Sequence, residues 1–295
     1  MNLRYFLACL LIVLMWAGSF IFIRIGLNEF LRVTLAFLRF AAASIFLSLF
    51  YLFFNQPGKS KKLNLKTNFL KLNILALTGV SLLYIFQFYS LKFISATIGS
   101  IMINSTTIFM ALLSAAFLNE KLNKRKVLGI LIAFIGVSIL VSNGWRNIEF
   151  YSNQFLGGTL MLGAALCWAI YSVVSKKVLQ FNSSLTITLV AFLLGTVHLF
   201  PMAFILENPI KTIFNASKIG WLSVFYLAFL SSALAYFLWN EILMKSELTK
   251  VGAILYIIPI PTMIFEYFLL KEPITKVTLI GAFLVITGVY LTESA

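Results

Sequence analysis

Apolar residues in this chain come in long runs separated by short polar breaks. A helix needs about 20 apolar residues to cross a hydrocarbon layer about 30 Å thick. Ten runs approach that length, at 4–24, 33–54, 69–91, 96–118, 126–143, 156–176, 184–206, 219–240, 248–270 and 276–292. The breaks carry turn and charge signals, such as Asn55-Gln56-Pro57-Gly58-Lys59, Asn143-Gly144 and Glu207-Asn208-Pro209. The pattern predicts an all-α integral membrane protein of ten transmembrane helices. The first run is too long for the core of a signal peptide and closes on Arg24 rather than on small residues, so it reads as the first span.

Composition agrees. Of 295 residues 61% are hydrophobic and only 11% charged, with a mean hydropathy of +0.99. A soluble domain carries about a quarter of its residues charged, and a disordered chain is far less apolar. The net charge of +14 sits between the runs, as at Lys59, Lys61, Lys62, Lys66 and Lys71. That placement suits lipid headgroups and membrane insertion; no continuous basic face exists to track nucleic acid. With the N-terminus inside, the inner segments hold fourteen Lys and Arg and the outer loops eight. This predicts cytoplasmic termini in a bacterial or archaeal cell membrane. Cys9 and Cys167 lie inside apolar runs and read as buried free thiols; with His198 the only histidine, no metal site or cofactor is expected.

An internal repeat runs at a constant offset of 152 residues. It pairs Trp16-Ala17 with Trp168-Ala169, Phe40 with Phe192, Tyr84 with Tyr236, Thr97 with Thr249 and Glu120 with Glu272. It also pairs Gly129 with Gly281 and Gly136-Val137 with Gly288-Val289. The halves, 1–147 and 148–295, hold five spans each. An odd number means that the second half enters the membrane from the opposite face. Inverted repeats of this kind are a transporter architecture with the substrate site near the axis that relates the halves.

On these residues the chain resembles the drug/metabolite transporter superfamily, in its ten-helix EamA-type members. The motifs are Trp16-Ala17-Gly18-Ser19-Phe20, Leu38-Arg39-Phe40, the segment Phe88 to Ala96, Ala235-Tyr236-Phe237-Leu238-Trp239-Asn240 and Leu270-Lys271-Glu272-Pro273. The resemblance covers the whole chain and implies export of amino acids or related metabolites. The chain departs from the family pattern at Asn119, Lys271 and Thr107, and adds Pro261 and Glu266.

Candidate binding residues follow from the repeat. Trp16 with Ser19, and Trp168 with Tyr171, share a helix face at mid-span; so do Tyr84 with Gln87, and Tyr236 with Trp239 and Asn240. These faces are expected to line a central cavity with aromatic walls and a few hydrogen-bonding groups; the plainer reading is aromatic packing. Asn104 and Tyr256 occupy equivalent positions of the fourth and ninth spans as further cavity groups. Glu266 is a costly carboxylate inside the ninth span. It reads either as a group for a substrate ammonium or a proton, or as a paired carboxylate with Arg39 as its partner. Arg39 itself reads as structural. Pro259 and Pro261 should break or kink the ninth helix, and Glu120 and Glu272 should favour the starts of the helices after them. The glycines at 129, 136, 281 and 288 should let helices approach closely.

Together these features predict a secondary transporter of a small-molecule substrate, surrounded by membrane lipid and working as a monomer, with a homodimer as the alternative. No phosphate-binding loop argues for an ATP-driven pump. Rival readings are a multidrug or cation efflux carrier, a non-transporting receptor or subunit, and a membrane enzyme, for which one histidine and scattered acids are a poor endowment.

Overall fold

The computed structural model of the chain describes residues 3–54, 65–117, 123–141, 153–245, 255 and 257–293. Every regular element among the described residues is helical. The first half contributes α1 (Leu3–Gly26), α2 (Arg32–Phe54), α3 (Leu65–Ala76), α4 (Leu82–Ser90), α5 (Ala96–Met102), α6 (Thr106–Phe117) and α7 (Lys124–Val141). The second contributes α8 (Asn153–Leu179), α9 (Ser184–Leu206), the short α10 (Ile210–Asn215), α11 (Lys218–Phe225), α12 (Ala235–Lys245), α13 (Pro259–Phe265) and α14 (Lys276–Glu293).

Among the described residues, seven stretches are long and apolar enough to cross a membrane: Leu7–Gly26, Arg32–Phe53, Phe69–Ser90, Ala96–Leu113, Asn153–Leu179, Ser184–Leu206 and Lys218–Met244. Shorter apolar helices cover Pro259–Leu270 and Lys276–Gly288. α7 opens on Lys124, Arg125 and Lys126, which shortens its apolar part, and most of residues 246–256, where the expected ninth span begins, lie outside the described residues. The chain is a multi-pass membrane protein. Its outside is covered by apolar side chains such as Phe53, Phe134, Ile205 and Phe283, all strongly exposed, as lipid contact requires.

Several helices change winding part-way. π-helical turns at Leu77–Ser81 and Tyr226–Leu234 join α3 to α4 and α11 to α12, and another follows α13 at Glu266–Leu270. A 3-10 turn at Ile103–Ser105 joins α5 to α6, and Leu255 and Ile257 have the same winding. Such interruptions loosen the regular hydrogen-bond ladder and concentrate at functional sites. Of the break or kink that the sequence suggested, Pro259 gives the break: it opens α13, where its missing N–H costs nothing and its fixed φ suits the first turn.

Small residues set the closest approach. A methyl group added at Gly136 would meet the backbone N of Val285 at 2.7 Å. One added at Gly288 would meet the carbonyl oxygen of Gly129 at 2.5 Å, as well as the backbone of Ala133. The glycine faces of α7 and α14 therefore bring these two backbones into contact.

Candidate functional site

A cavity lies among α1, α4 and α8. Trp16, Ser19 and Phe20 line it from α1, Leu83, Tyr84 and Gln87 from α4, and Trp168 from α8. Ile103 of the 3-10 turn, Leu255 and Ile258 complete the wall. Five of the residues singled out from the sequence, Trp16, Ser19, Tyr84, Gln87 and Trp168, thus share one space. The five apolar lining residues were not singled out. Ile103 and Leu255 had a usable signal, since they stand 152 apart beside Asn104 and Tyr256. Ser19 spends its hydroxyl on the carbonyl of Trp16, 2.7 Å away. The Gln87 amide has no hydrogen-bond partner among the described residues, so it is a polar group of the wall free to meet a solute.

Tyr171, Tyr236, Trp239 and Asn240 do not line this space, contrary to expectation. They are wholly buried beside it. The Trp239 ring centre lies 5.3 Å from that of Trp16 and 5.5 Å from that of Trp168; Tyr171 stacks on Trp168 at 5.0 Å. The Tyr236 hydroxyl donates to the carbonyl of Gly79 at 2.7 Å and lies 3.0 Å from the Tyr84 hydroxyl. Asn240 accepts from Ser175 and donates to Tyr171 and Thr188, each at 2.9 Å, so its amide is committed to packing. The repeat makes the asymmetry plain: Ser19 and Gln87 leave room, whereas their counterparts 152 positions on, Tyr171 and Trp239, fill it. Asn104 is wholly buried, with neither amide atom partnered among the described residues, a state that costs about 1–3 kcal/mol. Tyr256 lies outside the described residues, as does Glu120.

Glu266 is not part of the cavity wall, and Arg39 is not its partner. Its carboxylate accepts the backbone N–H groups of Ala96 and Thr97 at 2.6 and 2.8 Å, closing the start of α5. Arg24 approaches it at 3.4 Å and pairs with Glu272 at 2.6 Å. The ends of α1 and α13 and the start of α5 are thereby joined. Glutamates do the same elsewhere: Glu207 accepts from the N–H groups of Val33 and Thr34 at the start of α2, and Glu29 accepts from Ser217 ahead of α11. Helix starts expose unpaired N–H groups, and a carboxylate satisfies both their hydrogen bonds and their dipole. Glu272 lies in the loop after Glu266–Leu270. Burial pushes its carboxyl above the usual value, although Arg24 pulls the other way.

Four pairs of residues in contact are separated by 152 positions. Trp16 meets Trp168 edge-on at 5.3 Å, and Phe40 meets Phe192 at 4.9 Å. The hydroxyls of Ser44 and Thr196 lie 3.3 Å apart, and those of Tyr84 and Tyr236 3.0 Å. The description of the EamA-like transporter family matches residues 3–142 and again residues 155–294. The chain belongs to the EamA-like transporter family. Among relatives of this EamA-like transporter, an uncharacterized transporter of Archaeoglobus fulgidus is 39% identical over 100% of this chain and 99% of its own. A probable amino-acid metabolite efflux pump of Escherichia coli is 25% identical, over 96% and 92% of the two chains. A solved crystal structure shares the fold with a TM-score of 0.68 at 18% identity, covering 99% of this chain and 98% of that one. The resemblance read from the motifs is thus borne out at the level of the family.

Proposed function

We propose that the chain is a secondary transporter that exports amino acids or related metabolites by alternating access. Two inverted halves of five helices, 1–147 and 148–295, rock around the central cavity. The observation that carries this reading is the set of four contacts between residues 152 apart. A residue touches its own counterpart only close to the axis that relates the two copies, and that axis passes beside the cavity. With α7, the helix from Pro259 and α14 added to the seven longer spans, the count is ten, five in each half. The family match to each half at the same offset supports the division. The name of the Escherichia coli relative supports amino-acid metabolites as the substrate class. The excess of inner Lys and Arg supports cytoplasmic termini in a cell membrane.

A second reading, efflux of organic cations, draws on the aromatic wall, because tryptophan and tyrosine faces attract cations. Counterflow into proteoliposomes with pooled labelled amino acids and organic cations separates the two. Saturable exchange of amino acids that is lost in Trp168→Ala supports the first reading. Exchange confined to cations favours the second, and folded protein that exchanges neither refutes transport of both kinds.

A further inference from the structure

Arg39 is wholly buried in α2. Its Nε donates to the Ser232 hydroxyl at 2.6 Å, and its Nη2 to the hydroxyls of Tyr84 and Ser231, each at 3.0 Å. Nη1 has no partner. The guanidinium lies 4.1 Å from the centre of the Tyr84 ring. Every one of these neighbours is neutral. The chain has no aspartate, and the placed glutamates are engaged elsewhere. Glu29 is held by Ser217, Glu207 by the start of α2, Glu241 by Ser184, and Glu266 and Glu272 by Arg24. A buried charge without a counter-charge is costly. Tyr84 is both the cover of this guanidinium and part of the cavity wall, and that wall holds no carboxylate, lysine or arginine of its own.

The geometry points to Arg39 as the residue that sets the charge preference of the cavity. Resting on the transport reading above, the inference is that the cavity takes solutes bearing a carboxylate, as anions or zwitterions, and rejects organic cations. The carboxylate supplies from the solute the negative charge that no described residue places beside Arg39. Arg39 acts from behind Tyr84, as a positioning charge rather than a contact.

Equilibrium binding to the purified full chain, measured with labelled 4-methylpentanoate, leucine and 3-methylbutylamine, tests this apart from transport. The probes share a branched apolar tail and differ in charge. A unit charge one side chain behind the wall is expected to favour the acid over the amine by about tenfold or more. Arg39→Met should erase that ratio and Arg39→Lys should keep most of it, whereas a purely structural role would weaken all three probes together. Equal binding of amine and acid by the unaltered protein, binding of none of the three, or an unchanged ratio in Arg39→Met overturns the inference. Should Arg39→Met fail to fold, the ratio in the unaltered protein decides. Preferential binding of the acid without any flux in proteoliposomes sinks the transport reading and leaves the charge preference standing.

Discussion

Removing the charge of Glu266 while keeping its shape should loosen one end of the helix bundle. In Glu266→Gln one carboxamide oxygen replaces the two carboxylate oxygens that accept from Ala96 and Thr97 at 2.6 and 2.8 Å. The new amide nitrogen then faces a backbone donor, in a site where the residue is only 3% exposed. A hydrogen bond to an ionised acceptor contributes about 1.5–3 kcal/mol, and orphaning a buried donor costs about 1–3 kcal/mol. The two figures describe largely the same loss, so a destabilisation of about 2–4 kcal/mol is expected. Glu272→Gln is the internal control. Its side chain is 33% exposed and gives up the ion pair with Arg24, which solvent screening limits to about 1 kcal/mol or less. Equilibrium unfolding in mixed micelles measures both. If Glu266→Gln matches the unaltered protein, or costs no more than Glu272→Gln, then the carboxylate does not hold the start of α5 and the reasoning fails.

Three further outcomes follow from the same geometry. Gly288→Ala should destabilise the protein by about 1–3 kcal/mol, because its methyl group meets backbone atoms of Gly129 and Ala133; Gly163→Ala, which meets only the movable Phe86 ring at 3.1 Å, should be close to neutral in the same unfolding assay. Tyr236→Phe should cost about 1–2 kcal/mol by removing its bond to the Gly79 carbonyl in the π turn; an unchanged unfolding curve would mean that this bond is dispensable. The hydroxyl and N–H of Ser217 hold the Glu29 carboxyl below its usual range. Its tie to Ser217 is therefore kept as pH falls through the ordinary carboxylate range and is lost only below the lowered value. Glu272, whose carboxyl is raised, should take up its proton earlier on acidification. Hydrogen exchange at Ser217 and Gly220 across the acid range, corrected for the intrinsic rate, reads the Glu29 tie.

Much of the architecture was legible because lipid imposes a simple rule, that apolar runs become helices. The 152-residue offset identified Trp16 with Trp168 and Tyr84 with Tyr236, pairs that meet beside the cavity. Ties between residues far apart in sequence were not legible. Glu266 stands out as an intramembrane carboxylate, but the backbone N–H groups that bind it lie 169 and 170 positions away, and backbone donors leave no mark in a sequence. The sequence offers Arg39 as a partner for the Glu266 carboxylate, yet α2 aims the guanidinium at Ser231 and Ser232 in the π turn. Tyr171 and Trp239 were read as cavity groups because their helix faces are equivalent to those of Ser19 and Gln87. Equivalence of position did not carry over to equivalence of volume.

Under the alternating access proposed above, that inequality of volume has an energetic meaning. If the halves were identical, a molecule open on one face and the same molecule open on the other would have equal energy, and a transporter of this design would spend half its time in each. Ser19 against Tyr171 and Gln87 against Trp239 remove that degeneracy. Two bulky rings are packed on one side, two smaller side chains leave space on the other, and exchanging the sides means extracting those rings from close contact. These four side chains therefore contribute to the resting state of the empty protein under that proposal. Exchanging Ser19 with Tyr171 and Gln87 with Trp239 should shift it toward the opposite face.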